Sequence, residues 1–216
     1  MIFRDRVTYG RRCVAAMFRS GLDPVVVDHG STWPDAVDWL DCLACDEIPV
    51  LYRGGGHPRE LWAWPPFTAA RGDDPFLVTD PDVIPAAGCP LDWPQHLLRL
   101  LEEYPGMAKA ALGLRIDNLP AHYSRRDQVT AWEAQFWTNQ IGPGVYGAPV
   151  DTTLALYRPG SGFVMDAIRT GPPYVADHLA WHENLEHPTE ESDYYYRHAE
   201  PGISHWAARG HSAWGN

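Results

Sequence analysis

Hydrophobic and polar positions follow two different periods along the first half of the chain. Short β-branched or apolar runs predict four buried strands, at residues 2–3, 24–28, 48–52 and 76–79. Apolar residues at helical spacing predict the intervening helices, at residues 9–20, 34–45, 59–64 and 93–104. A strand followed by a helix, four times over, favours an α/β fold with a mostly parallel, doubly wound sheet.

The second half has a less regular pattern and predicts a smaller, irregular lobe. Strands are predicted at residues 107–116, 151–157 and 174–176. Hydroxyl side chains that suit helix N-caps stand at Thr32, Ser124 and Thr189. No linker divides the chain, so we expect a single domain, with residues 1–105 as one half and 106–216 as the other.

Composition and charge narrow the class of protein. The chain has 216 residues and a formal net charge of −11, which opposes non-specific attraction to nucleic acid. No apolar run reaches the ~18 residues of a membrane span, and charges at residues 4–6 do not suit a signal peptide. We therefore expect no membrane insertion and a cytoplasmic location. Cys42 and Cys45 lack a second pair and close a predicted helix, which argues against a zinc or redox site.

Polar and glycine-rich segments follow all four strands of the first half, where α/β sheets bind their ligands. They occupy residues 4–6, 28–31, 53–57 and 80–82. In the last segment Asp80 and Asp82 flank Pro81, so both carboxylates can face one divalent cation. Hard oxygen ligands suit Mg²⁺ or Mn²⁺, particularly when a substrate diphosphate completes the coordination shell.

Three of these segments resemble those of family 2-like glycosyltransferases with the GT-A fold. Residues 25–32 (VVVDHGST) resemble the second strand of that family, IVVDNGST, with His29 where the family usually has Asn. Residues 76–82 (FLVTDPD) resemble the strand that ends in the metal-binding Asp-x-Asp, and residues 4–9 (RDRVTY) the loop after the first strand. The similarity covers residues 1–105. It continues, as in a compact bacterial and viral subgroup, through residues 113–117, 132–133 and 151–159.

The resemblance implies a GT-A fold and the transfer of a sugar from a nucleotide-diphosphate donor, UDP-linked in most of the family, to a hydroxyl acceptor. The implied cofactor is Mn²⁺ or Mg²⁺. The implied donor-binding residues are Arg4, Asp28, Gly30, Arg53 and Asp80. The implied metal ligands are Asp80 and Asp82, with a late histidine as the third. His178 follows a predicted strand and is the first choice, and His205 is the alternative.

An inverting transferase also needs a general base that takes the proton from the acceptor hydroxyl. Asp151 is the leading candidate because it opens a predicted strand after a glycine-rich loop, and Asp117 and Glu183 are the alternatives. Glu133 is interpreted either as a helix surface charge or as an anchor behind the site.

Other functions fit parts of the sequence. The acceptor is expected to be a glycan or glycoconjugate, and a hydroxylated base of viral DNA is the alternative. The ten tryptophans and ten tyrosines also suit a non-catalytic carbohydrate-binding module. A sugar nucleotidyltransferase is disfavoured, because residues 4–6 contain no glycine where that class has a glycine-rich loop. The sequence leaves the oligomeric state open.

Overall fold

The computed structural model describes residues 1–198, and strands and helices alternate through most of the first half, as the sequence predicts. The strands are β1 (Ile2–Phe3), β2 (Val26–Asp28), β3 (Val50–Tyr52), β4 (Phe76–Val78), β5 (Val83–Pro85), β6 (Lys109–Leu114), β7 (Gln140–Gly142), β8 (Val145–Gly147), β9 (Ala155–Tyr157) and β10 (Ile168–His178). The α-helices are α1 (Val7–Arg19), α2 (Pro34–Cys45), α3 (Pro65–Arg71), α4 (Trp93–Glu103), α5 (Arg126–Ala134) and α6 (Glu190–His198). Short 3-10 helices cover Pro58–Ala63, Gln135–Trp137 and Leu179–His182.

The strands form two sheets that meet at one edge. In the first sheet β1, β2 and β3 lie parallel in that order. The second sheet has the order β4-β9-β6-β10-β8-β7, and β5 also pairs with β10. The amide of Ile2 donates to the carbonyl of Thr79 at 2.9 Å, which joins β1 to the end of β4. The predicted α/β class is confirmed.

The second sheet differs from the predicted, mostly parallel arrangement. Only β6 and β10 pair in parallel within it, whereas β9 lies antiparallel to both β4 and β6. The strands β5, β7 and β8 were not predicted, and all three pair antiparallel. Each of them has only three residues, which is too short to show a period of two.

Of the three N-caps that the sequence predicts, the structure confirms one. Thr32 does not cap α2. Instead, the carboxylate of Asp5 accepts hydrogen bonds from the amides of Thr32 and Trp33, at 2.6 and 2.7 Å. Ser124 is not an N-cap either: α5 begins at Arg126, its N-cap residue is Arg125, and no side chain caps it. The prediction for Thr189 is correct: its hydroxyl accepts the amide of Ser192 at 3.2 Å, at the start of α6.

The main core lies between α1, α4 and the central strands of the second sheet. Its largest fully buried side chains include Trp93, Leu97, Leu112, Ile168 and Trp181. Burial of such apolar area is the principal force that holds helices onto a sheet. Within residues 1–198, no helix combines the length and the apolar character that a membrane crossing requires.

Candidate active site

A cavity of about 510 Å³ opens beyond the carboxyl ends of β1, β4 and β10. Charged residues follow β1 and β4, and β10 ends at His178. Two loops and α5 complete the wall. The charged and polar side chains on the wall include Arg4, Arg6, Asp80, Asp82, Glu133, Asp151, Thr152, Arg169 and His178. Six of the residues singled out from the sequence therefore line this cavity, namely Arg4, Asp80, Asp82, Glu133, Asp151 and His178.

Asp80 lies at the centre of an acidic group. Burial, together with the neighbouring carboxylates of Asp151 and Asp82, raises the pKa of Asp80 well above its ordinary value. The hydroxyl of Thr152 donates to both carboxylate oxygens of Asp80, at 2.8 and 3.1 Å, and favours the charged form. The negative charges of these neighbouring carboxylates repel one another, so a cation in the cavity would be stabilised.

Asp82 and His178 form the part of the wall that is best suited to a cation. The Nδ1 atom of His178 lies 3.7 Å from Oδ2 of Asp82, and its ring stacks on Trp181 at a centroid distance of 4.4 Å. That nitrogen is buried and forms no hydrogen bond within residues 1–198. His205, the alternative histidine, lies outside the described residues.

The chain does not by itself complete a metal site. In the part of the chain that the structure describes, no group of three His, Cys, Asp or Glu side chains could hold a metal ion. Mg²⁺ and Mn²⁺ sites that act on diphosphates need fewer protein ligands, since water and substrate oxygens complete the shell. Asp80 and Asp82 supply two neighbouring carboxylates, which are ligands of the kind that such a site uses.

Arg6 is a wall residue that sequence reasoning missed. Its side chain is only 4% exposed and pairs with the carboxylate of Glu183. The guanidinium also lies 4.5 Å from the ring centres of both Tyr9 and Tyr195, a cation–π geometry. Glu183 is separated from Arg6 by 177 positions, and no local pattern signals such a pair.

A second buried ion pair lies on the wall at α5. Arg169 Nη1 donates to Glu133 Oε2 at 2.8 Å, and the Nε and Nη2 atoms of Arg169 hold the carbonyl of Pro149. Burial raises the pKa of Glu133, and the guanidinium opposes that rise. The interpretation of Glu133 as a surface charge is wrong, because only 4% of the residue is exposed.

Two of the predicted donor-binding residues organise a loop away from the wall. The carboxylate of Asp28 accepts the amide of Gly30 at 3.2 Å and both the amide and the hydroxyl of Ser31. Gly30 has a φ of 83°, and a Cβ there would lie 3.3 Å from the Gly54 carbonyl carbon. Both residues therefore shape the turn after β2, and neither lines the cavity.

The two predicted arginines have different positions. Arg53 donates to Glu60 Oε2 at 2.6 Å and to the carbonyl of His57 at 3.1 Å, and it does not line the cavity. Arg4 does line the cavity, and it donates to the carbonyl of His198 at 2.9 Å. Only Arg4 could therefore contact a ligand in the cavity directly.

The three candidate bases are also separated by the structure. Asp117 is 79% exposed at its side chain and pairs with Arg115, and Glu183 is occupied by Arg6; neither lines the cavity. Asp151 does line it. The residue lies in a loop, however, because β9 begins at Ala155 and not at 151 as predicted.

Comparison with known proteins adds no family to this description. No family model matches the chain, and a search of curated proteins finds no match.

Proposed function

We propose that this protein is a metal-dependent glycosyltransferase with a GT-A fold. In this proposal the donor is a nucleoside-diphosphate sugar, UDP-linked, and the acceptor is a hydroxyl group of a glycan or glycoconjugate. The observation that supports it is the meeting of Asp80, Asp82, His178 and Asp151 on the wall of one cavity at the ends of the strands. A perturbed carboxylate in a cleft lined by charged side chains is typical of catalytic sites.

Asp80, Asp82 and His178 would hold Mn²⁺ or Mg²⁺ together with the donor diphosphate. A bound divalent cation neutralises the negative charge that develops on the departing nucleoside diphosphate. Arg4 and Arg6 add positive charge to the same wall, and arginine suits phosphate oxygens because its donors form a planar fork. Arg4 is the arginine proposed to contact the donor, because it lines the cavity beside Asp80 and Asp82.

Asp151 would serve as the general base. Its carboxylate would take the proton from the acceptor hydroxyl while that oxygen attacks the anomeric carbon, which inverts the configuration of the sugar. The rest of the wall near α5, including Trp132, Phe136 and the Glu133–Arg169 pair, would face the acceptor. Aromatic faces and buried charged donors and acceptors are suitable partners for the faces and hydroxyls of a sugar.

A thermal-shift panel tests the proposal. The ligands are UDP, GDP, dTDP and CMP, each with and without Mn²⁺, because a ligand that binds only the folded state raises the melting temperature. We expect one nucleoside diphosphate to raise it in the presence of metal. The variant Asp82→Asn should abolish that shift. The control is Asp117→Asn, which removes an exposed carboxylate away from the cavity and should leave the shift unchanged.

The same panel separates the alternatives. A metal-dependent shift that persists in Asp82→Asn would contradict the assigned metal site. The absence of a shift with every nucleotide, together with binding of free oligosaccharides that Asp82→Asn leaves intact, would favour a carbohydrate-binding module instead.

A further inference from the structure

A buried ammonium group lies directly behind the loop that carries Asp151. Lys109, the only lysine in the chain, is the first residue of β6 and is fully buried. Its Nζ donates to the carbonyl of Val150, to the carbonyl of Asp151 at 2.8 Å and to the hydroxyl of Tyr157 at 3.0 Å. These three acceptors satisfy all three protons of the ammonium group.

The burial of this charge calls for a specific reason. An ammonium group is costly to bury, and within residues 1–198 Lys109 forms no ion pair with a carboxylate. Hydrogen bonds from a charged donor are about twice as strong as neutral ones, and the rings of Tyr157 and Phe163 lie 4.9 and 5.3 Å from Nζ. The arrangement therefore holds two backbone carbonyls firmly onto the central sheet.

Those carbonyls belong to loop 150–154, and the carbonyl of Asp151 also accepts a hydrogen bond from the hydroxyl of Tyr157 at 3.3 Å. The ends of the loop are held by the amide of Val150, which donates to Met165, and by the carbonyl of Leu154, which accepts from Leu112. Between them, no hydrogen bond from the amides of residues 151–153 is found in the part of the chain that the structure describes. Leu154 also has a φ of 31°, which is unfavourable for a branched side chain, so the loop needs support from outside.

Loop 150–154 supplies Asp151, Thr152 and Thr153 to the cavity wall. Asp151 is the proposed base, and Thr152 donates to the carboxylate of Asp80. A displacement of this loop would move the base relative to the acceptor hydroxyl. A misplacement of about 1 Å at a reacting group can reduce a rate by about 10²-fold.

We infer that Lys109 is a positioning residue, which holds loop 150–154 so that Asp151 faces the acceptor hydroxyl across the cavity. This inference rests on the proposed function. Lys109 does not line the cavity and acts only through the backbone that it binds. Its test therefore needs one measurement that depends on transfer activity and one that does not.

The first measurement is amide hydrogen exchange in native protein. Lys109→Met keeps the length of the side chain and removes the charge and its donors. We expect exchange at the amide of Val150, whose hydrogen bond to Met165 holds one end of the loop, to accelerate at least tenfold, because local opening of the loop becomes easier. Exchange in the paired residues of β10 should be unchanged. If Lys109→Met does not fold, Lys109→Gln, which keeps a neutral N–H donor, replaces it.

The second measurement is hydrolysis of a panel of UDP-hexoses with Mn²⁺, in which water takes the place of the acceptor hydroxyl and the released UDP is measured. We expect kcat of Lys109→Met to fall by about 10²-fold. The affinity for UDP and Mn²⁺ should change by less than about threefold, since Asp82 and His178 lie on other elements. A purely structural role would lower the melting temperature and leave kcat unchanged well below it.

Arg158→Met provides the matched control. Arg158 also holds backbone carbonyls, those of Met107, Leu101 and Tyr104, but it does not line the cavity or contact loop 150–154. Its loss should destabilise the protein and leave both the exchange of the loop and kcat unchanged.

Each outcome has a defined meaning. Unchanged loop exchange in Lys109→Met, or accelerated exchange with unchanged kcat, would overturn the positioning role alone. If the wild-type protein consumes no sugar nucleotide and binds none, the proposed function fails, and the role of Lys109 in transfer fails with it.

Discussion

Glu183 connects the end of the described chain to its beginning, and its removal should be costly. The carboxylate accepts hydrogen bonds from Arg6 and Tyr9 at the start of α1, and from Ser192 and Tyr196 in α6 at 3.1 and 2.7 Å. Its side chain is 10% exposed, and that of Arg6 is 4% exposed. One carboxylate thus holds α6 against the wall of the cavity.

The variant Glu183→Ala leaves the guanidinium of Arg6 buried without a counter-charge. Breaking a buried ion pair by removal of one partner costs about 3–5 kcal/mol. In a domain of this size, 1 kcal/mol lowers the melting temperature by about 2–4 °C. We therefore expect the melting temperature to decrease by about 6–20 °C.

Differential scanning calorimetry measures the change, and urea denaturation gives the free energy of unfolding. The control is Asp193→Ala, which removes a carboxylate of α6 whose partner, Arg197, is 67% exposed. Exposed pairs contribute about 0.2–1 kcal/mol, so this variant should lower the melting temperature by no more than about 4 °C. A decrease for Glu183→Ala that is no larger than the control would refute the reasoning.

Three further predictions concern packing, the second ion pair and pH. Gly10→Ala should lower the free energy of unfolding by about 1–3 kcal/mol, because the new Cβ would lie 2.6 Å from the ring of Trp39. Urea denaturation measures this change. Arg169→Met should lower the free energy of unfolding by about 3–5 kcal/mol, since Glu133 stays buried without its partner. The double variant Arg169→Met with Glu133→Leu should recover much of that loss. Additive losses from the two substitutions would contradict this account. Burial lowers the pKa of Lys109 to about 8, the positive charges of Arg169 and Arg59 add to the effect, and Asp151 opposes it. Between pH 8 and about 10.5 the unfolded chain therefore binds more protons at Lys109 than the folded protein does. Across that window the free energy of unfolding of the wild type, relative to that of Lys109→Met, should rise with pH. Denaturation at several pH values measures this difference.

The first half of the fold could be predicted because its signals are local. The helices α1, α2 and α4 and the strands β2 and β4 lie within two residues of the predicted ranges, since an apolar stripe or a β-branched run is a property of neighbouring positions. The same reasoning identified Asp80 and Asp82 at a strand end. Parallel strands bring their carboxyl ends to one edge, so such residues converge without any further information.

Pairings between distant residues could not be predicted. Asp5 was absent from every local signal for α2, yet its carboxylate replaces the cap expected from Thr32. The antiparallel strands β5, β7 and β8 are too short to show a period, and their pairing depends on β10. A strand of three residues is stabilised by its partners, which the local sequence does not specify.

By itself, the sequence determined the α/β class, most of the helices and strands of the first half but not α3 or β5, and the acidic residues that follow β4. Only the tertiary structure decided which charged residues share a wall: it placed Arg4, Asp151 and His178 beside Asp80 and Asp82, and it placed Asp28, Gly30 and Arg53 elsewhere. It also assigned Lys109 to the loop that carries Asp151. The physical reason is that hydrophobic periodicity acts over a few residues, whereas buried charges find their partners wherever the packed chain brings opposite charges and polar groups together.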